Sequence, residues 1–179
     1  GIEATGGLTT SITDGSKNYK VHTFLATGVF EVTSTGPLSS EIEYLVVAGG
    51  GSGGQNLSGG GGAGGLRTNL TGHPLAGSAF PVSVANYVVT VGAGGNGSSS
   101  NSSEGASNGI DSYFGPPSTP NGITATGGGY GGSTHPSPGV AQDGGSGGGG
   151  GGVTTYAGGS GNTPPTSPSQ GNPGGPGYN

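Results

Sequence analysis

The stretch YLVVAGGGSGG, Tyr44–Gly54, decides how this chain is read. A β-branched, apolar run passes without a turn signal into a tract of glycine. Leu45–Val46–Val47 is apolar on both faces, which predicts a central strand covered from two sides. Comparable tracts follow at Gly59–Gly65, Gly127–Gly132, Gly144–Gly152 and Gly171–Gly177, and 48 of the 179 residues are glycine. Because strand-like segments lie between the tracts, the glycine is expected to hang from a folded scaffold.

Working outward, Asn18–Leu25, Gly28–Thr33, Glu41–Ala48 and Asn86–Val91 are rich in Val, Tyr, Phe and Thr, and Gly and Pro punctuate them as in hairpin-connected strands. In the second, Val29 and Glu31 oppose Phe30 and Val32, since residues two apart share a strand face. Ser112–Phe114 and Ile123–Thr126 are shorter candidates. Nothing repeats at i, i+3, i+4, i+7, so no helix is expected. The expected class is all-β: a small antiparallel sheet or sandwich with glycine-rich excursions packed as polyglycine-II helices. Residues 1–126 read as a β-scaffold with inserted glycine loops and 127–179 as a glycine/proline-rich extended segment packing on it, the whole being one structural unit.

The physical case for packing is that polyproline-II geometry repeats every three residues and leaves the backbone unpaired. Side by side, such segments can bond N–H to C=O between neighbours with no side chains in the way, and buried backbone groups need partners. At ~3.1 Å per residue, Gly144–Gly152 would span roughly 28 Å. The alternative is flexible linkers behaving as coil. Gly94–Asn108 reads as a mobile loop, and Asn162–Pro176 as an extended, proline-stiffened docking segment or spacer. Collagen is excluded, because no strict Gly-X-Y period is kept.

Composition narrows function by exclusion. The apolar fraction is 27% and the charged fraction 6%, against about 45–50% (glycine counted) and about 25% in ordinary domains. The net charge is −5, and the strong bases Lys17, Lys20 and Arg67 are too scattered to release phosphate counterions, so nucleic acid is excluded as a partner. The apolar run Leu45–Ala48 is far short of the ~20 residues of a spanning helix. There is no Cys or Met; the expectation is a piece of a longer protein.

Sequence motifs for chemistry are weak. Gly49, Gly51 and Gly54 form a G-x-G-x-x-G, but QNLSGGGG after it cannot make the helix that would hold a pyrophosphate. Ser52 and Ser146 centre G-x-S-x-G matches without the strand-to-helix turn of a nucleophile elbow. His22, His73 and His135 have no ligand spacing, and Glu41 and Glu43 read as a solvated strand face. Sequons at Asn56, Asn69, Asn96 and Asn101 arise readily in such a composition. The expectation is no catalytic residue, no cofactor, no metal and no enzyme.

EYLVVAGGG with GGGGAGGLR, then YVVTVGAGGNG, then NGITATGGGYGG, resembles the glycine-rich domain of bacteriophage virion proteins, especially tail-fibre-type proteins of phages infecting marine bacteria. IEATGG, YKVHTF and GVFEVTS are similar to the entry into that domain, and GNTPPTSPSQGNPGGPG to a cadence further along. The resemblance implies a place on the virion surface, stacked polyglycine-II helices, and attachment to a host receptor or polysaccharide. Other virion proteins and further copies of the chain, as a trimer, would be its partners. It sets no catalytic residues. Tyr130 and Tyr156, at the borders of glycine tracts, are the candidate receptor-binding residues. The alternative is a self-assembling extracellular filament, matrix or capsid-decorating subunit, pairing through EYLVVA and NYVVTV as exposed edges; a carbohydrate-processing enzyme comes third.

Overall fold

A computed structural model describes residues 1–37, 40–97, 106–116, 122–134, 140–152 and 156–178. Among these the fold is all-β, as expected, with β1 (Ile2–Thr5), β2 (Leu8–Asp14), β3 (Lys17–Thr23), β4 (Gly28–Thr35), β5 (Glu41–Ile42), β6 (Leu45–Val47), β7 (Leu66–Thr68), β8 (Phe80–Pro81), β9 (Ala85–Thr90), β10 (Ser112–Gly115) and β11 (Ile123–Ala125). A five-stranded antiparallel sheet runs β1-β4-β9-β10-β11, and β2-β3, β5-β8 and β6-β7 form two-stranded pairs.

The sheet works by alternation. Along β4, Phe30 and Val32 are buried while Val29 and Glu31 are exposed, and β9 contributes Tyr87 and Val89 to the same core. Phe114 on β10 is its hub, with ring centroids 5.1 Å from Phe80, 5.8 Å from Tyr87 and 6.0 Å from Phe30. Tyr44 meets the edge of Phe80 at 6.1 Å. Large rings concentrate much apolar area in few residues, which suits a chain with so few to spend.

The β2–β3 hairpin leaves this body as an arm, and every residue of β2 is exposed. Gly15, with φ +58°, opens its two-residue turn between Asp14 and Lys17, where a two-residue hairpin needs positive φ. The root is held by Lys20 Nζ donating to Glu3 Oε2 at 3.0 Å, and by His22, whose Nδ1 lies 2.8 Å from the Gly6 carbonyl and whose ring meets Phe30 edge-on.

Several expectations need correction. Glu41–Ala48 is not one strand: β5 pairs with β8 and β6 with β7. Nor is Leu45–Val47 covered from two sides, since Leu45 is 66% and Val47 49% exposed while Val46 is half-buried. The alternation that starts at Glu41 simply continues through the apolar residues. NYVVTV is no free edge, because β9 lies between β4 and β10. β1, β2, β7 and β8 were not anticipated; β8 is two residues long and contains a proline, and β2 is a run of Thr and Ser with little apolar content.

Beyond the strands the backbone forms a lattice. The N–H groups of Ala48, Gly51 and Gly54 donate to the carbonyls of Gly65, Gly62 and Gly59, and those of Gly59, Gly62 and Gly65 donate to Gly132, Gly129 and Thr126. Parallel pairs obey the same step: Gly128 and Gly131 donate to Gly49 and Ser52, and Gly147 and Gly150 to Asn172 and Gly175. A three-residue step is the repeat of polyproline-II geometry, and neither a helix nor a β-ladder has it. Successive residues therefore face successive neighbours.

Segment 126–132 is the axis. Each of its amides has a partner: Gln170 Oε1, Asp111 Oδ1, Gly49 O, Ser146 O, Asn108 Oδ1, Ser52 O and Gly149 O, in order. Asp111 and Asn108, three apart, lend side-chain oxygens on either side of the backbone bond from Gly109 N to Gly128 O. Positive φ occurs among described glycines only at Gly6, Gly7, Gly15 and Gly72, none of them in the lattice. Lattice glycines are thus required for the missing Cβ. One built on Gly129 would run into Gln142 O, and one on Gly131 into Gly59 O.

Gly94–Asn108 is likewise not simply a loop: Gly95 donates to Gly50 O and Ser107 to Asn96 O at its two ends, while residues 98–105, Asn101 among them, lie outside the described part. The tail is not extended throughout. Asn162 adopts φ +52°, and its Oδ1 accepts from the amides of Thr166 and Gln170. Thr163–Pro164 and Ser167–Pro168 are cis in this turn. Asn162 and Thr163 donate to Gly145 and Gly144 before the turn, and from Gln170 onward the tail runs along the lattice again, where Gly174 and Gly177 donate to Gly159 and Tyr156.

Candidate functional site

Lattice segments share an axis, which gives the bundle two ends. At the sheet end, Gln170 is 2% exposed and ties three segments: its Oε1 accepts from Thr126 N (2.8 Å), its Nε2 donates to Pro164 O (3.1 Å), and its backbone carbonyl accepts from Leu66 N (2.9 Å). The far end turns at Gln55–Ser58. There Asn56 and Leu57 sit at φ +53° and +49°, a conformation uncommon for residues other than glycine. Ser133 and Thr134 hydroxyls donate to the carbonyls of Gln55 and Asn56, and Gly152 N donates to Leu57 O at 2.6 Å. This bracing leaves Leu57 72% exposed.

Tyr156 belongs to that far end, its carbonyl accepting from Gly177 N, with Tyr178 exposed just beyond. Tyr130 lies further in, its amide donating to Asn108 Oδ1 and its carbonyl accepting from Gln142 N. Both candidate tyrosines are half-buried. Their backbones flank segment 145–152, an added Cβ at Gly148 meeting the Tyr130 carbonyl and one at Gly150 the Tyr156 carbonyl. Their rings touch neither each other nor another ring among the described residues. Leu57 and Tyr178 were missed as members of this end; the apolar side chain stranded in QNLSGG was the available signal.

The motif candidates resolve into structure. Amides of Gly49, Gly51 and Gly54, which a phosphate would need, are spent on Ile110, Gly62 and Gly59. Ser52 exchanges hydrogen bonds with Ser107, and Ser146 Oγ accepts from Asn172 N. His73 Nδ1 accepts from Leu75 N at 3.1 Å, and His135 lies outside the described residues. Among described residues no three of His, Asp and Glu gather as metal ligands, and no helix is long and apolar enough to cross a membrane.

A separate cleft of about 660 Å³ opens beside β7 and β8, lined by Tyr44, Arg67, Ser78, Phe80, Ser83 and Ser167 among others. Tyr44 is placed by its own backbone: its amide donates to Asn69 Oδ1 and its carbonyl accepts from Thr68 Oγ1, both at 2.8 Å. Burial raises the Tyr44 phenol above its ordinary value, and the neighbouring Arg67 charge pulls it down in part. Composition alone had marked Arg67 only as one of few bases.

The chain belongs to the glycine-rich domain family, whose model matches residues 25–179. No curated protein and no solved structure matches it. The matched span takes in the lattice and all of the five-stranded sheet except β1.

Proposed function

We propose that this chain is a structural module of a bacteriophage virion, of the tail-fibre or adhesin type, displayed on the particle surface and attaching it to the host envelope. The observation that carries the reading is the lattice: backbone hydrogen-bonded in three-residue steps, leading from a sheet to an end that exposes Leu57 and Tyr178. A rod whose amides are paired internally is stiff without a large apolar interior, which an appendage requires. The half-buried Tyr130 and Tyr156 offer rings with phenols suited to adaptable polar contact. The module works without a cofactor or catalysis, alongside other virion proteins and further copies of itself as a trimer, with a host receptor or polysaccharide as its target.

A second reading, an extracellular filament subunit, draws on β2, whose uncharged run Leu8–Thr13 is exposed throughout and, among the described residues, pairs on one side only. Open edges of this kind template pairing with another chain. Immunogold labelling of material from the source culture separates the two. Label on projections of virus particles supports the first, label on long particle-free fibres the second, and particles without label overturn the first. Tyr130→Ala with Tyr156→Ala is expected to reduce binding of the chain to host cells; unchanged binding removes both from the site.

A further inference from the structure

We propose that the cleft beside β7 binds an acidic saccharide, one bearing a carboxylate or sulfate, through Arg67. Its biological setting rests on the host-surface reading above, and its chemistry on the cleft alone. Arg67 is the chain's single arginine and is half-buried. It makes no ion pair: among the described residues that role belongs to Lys20 and Glu3. The chain carries eight acidic residues, yet among the described ones none is paired with this guanidinium. A partly desolvated cation normally finds a counter-charge, and a planar guanidinium offers a fork of donors that matches carboxylate or sulfate oxygens two at a time.

The surroundings specify the rest of the ligand. Tyr44 lines the cleft with a phenol that makes no hydrogen bond among the described residues, and the exposed serines Ser78, Ser83 and Ser167 line it too. Among the described residues none of the three serine hydroxyls is engaged elsewhere. Hydroxyl groups, an aromatic wall of Tyr44 and Phe80 and one cation match a sugar that is polar at its rim, apolar on its ring face and singly acidic. The volume lies in the ordinary range of small-ligand sites, about 300–1,000 Å³.

An acidic peptide fits less well. A strand-like peptide needs free backbone donors, and along Pro81–Ser83 and at Pro116 the cleft offers none. Pro81 and Pro116 have no N–H, Val82 N donates to Ser40 O, and Ser83 N donates to Tyr87 Oη.

The test uses the full chain labelled with ¹⁵N, in which the single arginine gives one side-chain Nε–H signal. Oligogalacturonate, sulfated dextran oligosaccharide and neutral dextran oligosaccharide are titrated separately. The Arg67 signal is expected to shift with at least one acidic sugar and stay still with the neutral one. Which acidic sugar moves it names the source of the anion. Arg67→Gln is expected to weaken binding about tenfold or more, as loss of a charge-assisted pair does. Arg67→Lys should fall between, because an ammonium keeps the charge without the fork.

A still Arg67 signal with both acidic sugars, or equal affinity in Arg67→Gln, overturns the proposal. Unchanged core amides at Phe30, Tyr87 and Phe114 verify that each variant is folded; should Arg67→Gln not fold, the wild-type signal decides. An Arg67 shift in a chain absent from virus particles keeps the saccharide site and removes the virion reading. Labelled particles with a silent Arg67 do the reverse.

Discussion

The sheet and the glycine lattice solve the same problem by opposite means. Around Phe114 stability comes from what side chains fill: Phe30, Phe80, Tyr87 and Val89 exclude water from a small aromatic core. Around segment 126–132 it comes from what side chains leave empty, so that carbonyls approach closely enough for each amide to be paired. A hydrogen bond nets only about 0.5–1.5 kcal/mol, but a buried unpaired group costs about 1–3 kcal/mol. The lattice is therefore held by completeness, and a single intrusion breaks several bonds at once.

Hydrogen exchange offers the largest contrast. Among the described residues, only Gly59, Gly62 and Gly65 of segment 59–65 donate within the lattice, whereas each amide of 126–132 does. Protection should then repeat every third residue in the first and be continuous in the second, with rates differing by orders of magnitude as for closed against open amides. Uniformly fast exchange in both would mean that the lattice does not persist in solution.

Opposite mutations should have the same sign in the two regions. Phe114→Ala empties the sheet core and is expected to cost about 3–5 kcal/mol. Gly129→Ala fills the lattice, placing a Cβ against Gln142 O, and should cost about 1–3 kcal/mol or more, as overpacking does. Denaturant melts of both variants test this; a neutral Gly129→Ala would show a lattice loose enough to yield.

Position within the lattice sharpens the comparison. A Cβ on Gly60 or Gly175 would meet nothing within 4 Å, and neither has positive φ. Alanine there should be neutral or stabilising by about 0.4–1 kcal/mol, through the unfolded state. Thermal melts reporting a loss at either site would show that space alone does not govern tolerance.

Smallest is the ion pair at the root of the hairpin arm. Lys20, chiefly by its hydrogen bond, holds the Glu3 carboxyl below its ordinary value. A folded value lowered in this way adds stability above the unfolded pKa, and loses it as pH falls through the folded one. Because both groups are exposed the effect is slight. Glu3→Gln should remove it, seen as a flatter stability profile below about pH 4.5.

Legibility followed the side chains. Alternation at Val29–Val32 set Phe30 and Val32 on one face, and the structure shows that face to be the buried one. The same rule misled at Leu45–Val47, since three apolar residues in succession do not say which face is covered. β8 and β2 were invisible because two residues, or a run of Thr and Ser, carry no periodic signal. At the far end of the lattice, the place of Tyr156 beside a glycine tract was legible in the sequence. Gln170, looking like one more spacer residue, could not be told from its neighbours as the polar hub of the sheet end.

From the residues alone came the all-β class, the absence of helix, and the need for glycine tracts to pair backbone with backbone. Those follow from local chemistry: propensity, alternation and the missing Cβ. Tertiary structure alone decided which tract lies beside which, since glycine has no side chain with which to encode a partner. The strands supply that information. Val47 and Ala125 each deliver a glycine-rich segment into the lattice, and Ser112 anchors segment 107–111 beside them, from a register already set by side-chain packing. Only there, too, do Tyr44 and Arg67 meet, brought to one cleft by the pairing of β6 with β7.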